Sequence, residues 1–333
     1  MNDEALQLEY DAAIAGAGVV RLRDWSTVRA AGNDRATFLH NMCTNDVKRL
    51  SAGEGCEAFF TDVKGKVVAH GFLLAGSDAI EIVMVPGTAG RLMGQLDRYI
   101  IREDVALSDK SGDVAWLLAF GERAGAVLEQ VVGAGVGELS AAWAHRTFDI
   151  AGVAVEAVRC ELPWMGGYLL GCPAESVPAI EAQLVAAGAT LGSESRWNTV
   201  RVESSWPLWG VDFDESNLPQ EVSRDAAAIS FRKGCYLGQE TVARIDALGH
   251  VNKQLVAVRF EGDAVPEIGA ELLQGEQVVG SVTSSCWSPR CAKPQAMGMV
   301  KRGANAAGTA LTWSGGAGEV VSVVGRIEHG DIR

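Results

Sequence analysis

Lys233-Gly234-Cys235-Tyr236-Leu237-Gly238-Gln239-Glu240 sets a thiol between two glycines, directly after Arg232. Glycine lets the chain turn tightly and lets another group approach the backbone, because no Cβ stands in the way. Cationic neighbours stabilise a thiolate, so Arg232 and Lys233 favour a Cys235 more reactive than a core cysteine. Residue types alone leave two readings open: a reactive thiol, or a cysteine packed in a glycine-rich turn, since cysteine is among the most buried residues.

The flanking segments carry further chemistry. Upstream stand Gly210-Val211-Asp212-Phe213-Asp214-Glu215 and Leu218-Pro219-Gln220-Glu221; downstream stand Val242-Ala243-Arg244 and Gly249-His250-Val251-Asn252-Lys253. A carboxylate such as Glu221 accepts two parallel hydrogen bonds from a planar donor pair, although most acids in loops are solvated. Asp212, Asp214 and Glu215 read as a capping and turn cluster, because no further acids or histidines stand near them to complete a metal site. Arg244 has two kinds of partner open to it, an anionic ligand or Glu240 one helical turn back. Trp164, Trp206 and Trp209 are candidates for stacking on a flat ligand, with burial as the default for an aromatic ring.

With 333 residues the chain is long enough for two or three domains. Its 48% hydrophobic and 21% charged content is that of a soluble globular protein. Asp3, Glu4, Glu9 and Asp11 precede the first basic residue, Arg21, which argues against a signal or transit peptide. No apolar run reaches membrane-spanning length. Seven scattered cysteines without a Cys-x-x-Cys pair predict neither a disulfide framework nor a metal site, and point to a reducing cytoplasm. A net charge of −13 excludes a general nucleic-acid binder, since phosphate binding needs clustered Lys and Arg. It leaves room for an anionic ligand in a local basic pocket.

Hydrophobic periodicity predicts a helix over Arg35–Met42 capped by Asn33-Asp34, and strands Glu57–Thr61 and Lys66–Leu74 around the turn Asp62-Val63-Lys64-Gly65. A strand over Ala79–Val85 is followed by a helix from Thr88 to about Tyr99. Strands over Val105–Leu107 and Val114–Phe120 precede a helix over Gly121–Val132. Ser176 and Pro178 open another helix, with Ile180, Leu184 and Val185 inward and Gly188 as its stop. Gly133–Gly137 reads as a plain loop. Helices and strands interleave without a regular βαβ repeat, so the class is α+β. After His250 the texture changes to short strands: Gln254–Phe260, Glu271–Leu273, Gln277–Ser284, Ala296–Val300, Ala310–Trp313 and Val320–Ile327. These predict a small all-β barrel or sandwich. The domain boundary falls near residue 250, giving 1–250 and 251–333.

Taken in order, these segments resemble the YgfZ-type proteins, relatives of the glycine-cleavage T-protein (aminomethyltransferase). The resemblance runs from Asn33–Val47 through the hairpin, Arg102-Glu103-Asp104-Val105 and the Cys235 signature into the C-terminal strands. It implies a T-protein-like folate-binding fold, two α+β lobes with a C-terminal all-β barrel, and tetrahydrofolate or a derivative as cofactor. It implies Glu221 on the pterin edge, Lys233, Gly234, Gln239 and Arg244 in ligand contact, and Cys235 as the signature thiol. Lys64, Lys66, Arg98 and Arg102 are then candidates for the folate tail, or else ordinary surface charges. His250 and Asn252 belong to a segment read as structural.

The function implied is that of a folate-binding accessory protein for iron–sulfur cluster assembly or repair, also associated with tRNA modification. Its partners would be transient iron–sulfur clients, with no stable nucleic-acid complex and no membrane. One cysteine cannot hold a cluster alone, because clusters generally take about four thiolates. The T-protein carries its catalytic aspartate in a Gly-x-x-x-Asp-Asp pattern after the hairpin; Gly65-Lys66-Val67-Val68-Ala69-His70 has neither acid. His70 is either a base of near-neutral pKa or a packed strand residue. The alternative function is a folate-dependent methyl or aminomethyl transferase or demethylase, against which the missing aspartate speaks.

Overall fold

The computed structural model describes residues 3–162 and 165–323. The chain divides into two compact units, Met1–Phe60 with Ala69–Arg196, and Thr61–Val68 with Trp197–Arg333. The first holds two α+β layers. In one, five antiparallel strands run in the order Glu54–Thr61, Val67–Ala75, Ala79–Met84, Ser26–Ala31 and Ala106–Asp109. Helices Arg35–Met42 and Ala89–Leu96 cover one face, where Phe38, Leu39, Leu92 and Leu96 pack on Phe60, Leu73 and Ile82. Each such side chain contributes about 1.5–3 kcal/mol through burial. Val67–Ala75 is buried at all nine positions, which its mostly apolar sequence anticipates for all but His70.

The other layer is a six-stranded sheet ordered Thr190–Gly192, Gly18–Leu22, Val114–Phe120, Met165–Pro173, Val153–Leu162 and His145–Ile150. Only Thr190–Gly192 runs parallel to its neighbour. Helices Ala124–Val132 and Val177–Ala186 cover one face with Val127, Leu128, Ile180 and Leu184. Val185, expected inward, is 45% exposed: the helix carries Ile180 and Leu184 on its buried stripe, and the next residue turns about 100° away. Gly188 ends that helix with φ +99, the left-handed conformation expected of its stop. Asp34 is the N-cap position of Arg35–Met42, but its carboxylate accepts the Asp104 N–H rather than capping its own helix. The Gly133–Gly137 stretch is more than a plain loop: the N–H groups of Gly135, Val136 and Gly137 all donate to the Glu129 carboxylate.

In the second unit, a closed six-stranded barrel is ordered Lys253–Phe260, Lys293–Lys301, Gln277–Ser288, Glu271–Gln274, Ala310–Trp313 and Gly316–Val323. Val256, Val258, Phe260, Leu272, Val282 and Val300 fill it. Closure removes the exposed edges that an open sheet would present. The expected strand Val320–Ile327 is described as far as Val323; its remainder and Trp164 lie outside the described residues. Among the described residues no helix is long and apolar enough to cross a membrane.

Candidate functional site

The signature loop is built on a glycine contact in the second unit. Gly238 has φ +81, and a Cβ there would lie 2.4 Å from the Asp62 carbonyl oxygen. The hairpin turn Asp62–Gly65 therefore sits directly against it. Thr61 Oγ1 donates to the Leu237 carbonyl at 2.6 Å, and a Cβ on Gly65 would strike Thr241 at 2.8 Å. Gly238 caps the helix Gln239–Leu248, and Gly249 (φ +69) ends it.

Gly234 and Cys235 are exposed, whereas the other described thiols are buried or half-buried. Burial pushes the Cys172 thiol up to about 11 and Cys286 higher still, so both stay protonated and unreactive. Lys233 is buried, and its ammonium lies 4.9 Å from the Tyr236 ring centroid. Gln239 is half-buried and Arg244 exposed, and Arg244 forms no ion pair with Glu240 among the described residues.

Glu221 ends the 3₁₀ turn Pro219–Glu221 and is 6% exposed, not the solvated acid that a loop usually holds. Its Oε2 accepts from Asn217 Nδ2 at 2.9 Å and from the Leu218 N–H at 3.1 Å, with Lys253 Nζ 3.9 Å away. One carboxylate oxygen is thus locked, which fixes the direction of the other. Two neighbours missed in the sequence join it. Gln220 Nε2 donates to the Val242 carbonyl at 2.7 Å, tying the turn to the signature helix, while its Oε1 is buried without a partner. Ser223 is buried at φ +64 with its hydroxyl unpaired. Unpaired buried polar atoms are uncommon, and a strained non-glycine residue often marks a functional turn. Neither signal is visible in residue types.

Asp212 is a correction to the turn-cluster reading. It accepts from Arg201 Nη1 at 2.9 Å, the Leu208 N–H at 2.9 Å, Thr283 Oγ1 at 2.8 Å and Ser284 Oγ at 2.5 Å. It is the anchor of a buried network. Asp214 does serve the turn, accepting the Ser216 N–H. No cluster of three or more His, Cys, Asp or Glu able to hold a metal exists among the described residues. Trp206 is buried against Trp197, ring centroids 5.5 Å apart, so it is core, and Trp209 is half-buried. Lys66 Nζ donates to the Ser216 carbonyl; Lys64, Arg98 and Arg102 are exposed. His250 is exposed, with Nδ1 2.9 Å from the Leu248 carbonyl.

In the first unit, His70 is 4% exposed, with Nε2 2.8 Å from Glu57 Oε1 and its ring 4.8 Å from that of Phe59. Glu57, 1% exposed, went unrecognised in the sequence, where one acid at the start of an apolar strand gives no warning of burial.

Residues 2–233 match the model of the GCVT N-terminal domain, and residues 253–323 that of the glycine cleavage T-protein C-terminal barrel domain. A chloroplast protein of Arabidopsis thaliana, named provisionally as a transferase, is 26% identical over 331 residues, 97% of this chain and 73% of the relative. The tRNA-modifying protein YgfZ of Edwardsiella ictaluri is 30% identical over 260 residues, covering 76% and 74% of the two chains. The glycine cleavage system aminomethyltransferase T of Bartonella henselae superposes with a TM-score of 0.84 at 17% identity, over 97% of this chain and 90% of that one. With its two α+β layers, closed C-terminal barrel and 30% identity to a YgfZ protein, the chain belongs to the YgfZ-type glycine-cleavage T-protein-like family.

Proposed function

We propose that the chain is a tetrahydrofolate-binding accessory protein acting in the assembly or repair of iron–sulfur enzymes. The observation that carries the folate half is Glu221, locked through Oε2 by Asn217 and Leu218 so that Oε1 is held in a set direction. A pterin edge offers a ring N–H and an exocyclic amine, a planar donor pair matched to a carboxylate. The donor chemistry fits. Lys233, Gly234, Gln239 and Arg244 border the ligand in this reading.

The exposed Cys235 supports a thiol presented to a client rather than to the core. Because the described residues hold no multi-ligand cluster, an iron–sulfur centre would be cargo shared with that client. A link to tRNA modification comes through the YgfZ relative, and a net charge of −13 favours acting on a modifying enzyme over gripping RNA. Free thiols throughout suit a reducing compartment, the cytoplasm in this proposal; the chloroplast naming of one relative marks a second such compartment.

Calorimetric titration with tetrahydrofolate tests the cofactor. Binding is expected, and Glu221→Gln should weaken it by roughly tenfold or more, since hydrogen bonds to a charged group contribute about 1.5–3 kcal/mol. No heat, or an unchanged Kd in the variant, overturns the assignment. Full activity of iron–sulfur enzymes in cells carrying Cys235→Ala would remove the thiol from the function. A second reading, folate-dependent one-carbon transfer, is favoured by the buried His70–Glu57 pair, a base oriented by an acid on the strand where the T-protein keeps its aspartate. Transfer of a labelled methyl or methylene group by purified protein, lost in His70→Phe, would establish it.

A further inference from the structure

Residues 249–253, read in the sequence as structural, end on a lysine that the second unit places beside Glu221. Lys253 opens the first barrel strand, Lys253–Phe260. Val256, Val258 and Phe260 point into the barrel, so alternation along the strand puts Lys253 and Leu255 on its outside. Leu255 is nonetheless fully buried, so this stretch of the outer face is covered rather than solvated, and the Lys253 side chain is only 36% exposed.

Lys301 stands directly opposite Lys253 in the neighbouring strand, on the same outer face. Like charges paired in this way repel, and the two ammonium groups take different partners. Lys301 Nζ donates to the Val278 carbonyl at 3.0 Å, while Lys253 Nζ lies 3.9 Å from Glu221 Oε2. Among the described residues Lys253 is the one cation paired with that carboxylate.

Distance decides what each neighbour does at Glu221. Asn217 Nδ2 and the Leu218 N–H, at 2.9 and 3.1 Å, hydrogen-bond Oε2. Lys253, at 3.9 Å, is beyond hydrogen-bond reach and supplies charge without taking a lone pair. Oε1 takes no hydrogen bond among the described residues, and it is not sealed from solvent as the unpaired Gln220 Oε1 and Ser223 Oγ are. A ligand can therefore reach it. Accepting from a donor pair requires the ionised form, because a protonated carboxyl turns one acceptor into a donor. A ligand seated over Oε1 also strips the last water from a group already 6% exposed, and burial disfavours the charged form. A positive charge beside the other oxygen offsets that cost, most of all in the complex.

We infer that Lys253 is a positioning residue of the Glu221 site: reaching in from the barrel, it holds Glu221 as the carboxylate that a donor-pair ligand reads. This role rests on the folate reading of Glu221 and brings the barrel into a site otherwise built from the Pro219–Glu221 turn and the signature segment.

Calorimetric titration of the full chain with tetrahydrofolate tests it. Lys253→Met should raise Kd by roughly three- to fivefold, less than Glu221→Gln, because water screens a partly exposed lysine. Lys253→Arg, which keeps the charge, should hold Kd within about twofold of the parent. Lys301→Met, the same change one strand away, should leave Kd unchanged. In a Glu221→Gln background Lys253→Met should add nothing, since the amide has no charge to hold; a purely structural lysine would cost the same in both backgrounds. Where Glu221→Gln binds too weakly to titrate, the contrast between Lys253→Arg and Lys253→Met decides. An unchanged Kd in Lys253→Met overturns the role, and so does a loss that Lys253→Arg or Lys301→Met matches. Absence of binding to the parent chain overturns the folate reading itself, and this role with it.

Discussion

Replacing Asp212 by alanine should cost the second unit a large part of its stability. The carboxylate is fully buried, its partner guanidinium on Arg201 is 5% exposed, and three further donors converge on it. Removing the acid strands a buried positive charge together with the Leu208 N–H and one hydroxyl bond each from Thr283 and Ser284. Arg201 Nη2 keeps only its bond to Ser284 Oγ. Breaking a buried pair by deleting one partner costs about 3–5 kcal/mol, set against a total stability on the order of 5–15 kcal/mol. The lower figure alone raises the unfolded-to-folded ratio about 150-fold. Urea unfolding followed by tryptophan fluorescence should show the midpoint falling by roughly 1 M, for a slope near 3 kcal/mol/M. The double variant Arg201→Met/Asp212→Ala should recover part of the loss, because the stranded charge is gone. A single-variant loss below about 1 kcal/mol would refute the reasoning, since it would mean that water reaches Arg201 and the network is peripheral.

Gly238→Ala and Gly249→Ala separate backbone strain from close approach. Both glycines have positive φ, but only Gly238 has a carbonyl where a Cβ would go, so its variant should lose clearly more than the roughly 1 kcal/mol of left-handed strain expected at Gly249; equal melting-temperature losses would refute the tight contact with Asp62. Thiol labelling at pH 8, read by mass spectrometry, should modify Cys235 first and Cys291 more slowly while the buried cysteines stay silent. Labelling of Cys172 should then climb through the alkaline range toward about 11. Between its ordinary value near 9 and that raised value the folded chain keeps a proton that the unfolded chain gives up, so this thiol makes stability fall as pH rises across that window. Labelling of Cys172 as fast as Cys235 at pH 8 would contradict its burial.

Local information ran far in this chain because its strongest signals are local. Alternating apolar residues and turn chemistry in the last third predict a barrel; five of its six strands lie where the periodicity places them, several running one to four residues longer, and the last begins four residues earlier than expected, at Gly316. The hairpin around Asp62–Gly65 and the helix after Asp34 were legible for the same reason. Strands His145–Ile150 and Val153–Leu162 were not, because charged residues such as Arg146, Asp149, Glu156 and Arg159 interrupt the apolar run.

Sequence order and residue types by themselves determined the α+β class, the C-terminal barrel and the segments in which polar chemistry gathers. Tertiary structure alone decided what each polar side chain faces. It turned Asp212 from a turn acid into the partner of Arg201 and Ser284, paired Glu57 with His70, left Cys235 exposed, and gave Gln220 and Ser223 acceptors with nothing to accept. The physical reason is that periodicity reports which side of an element is apolar, whereas the worth of a charge or hydrogen bond depends on burial and on partners tens of residues away in the chain.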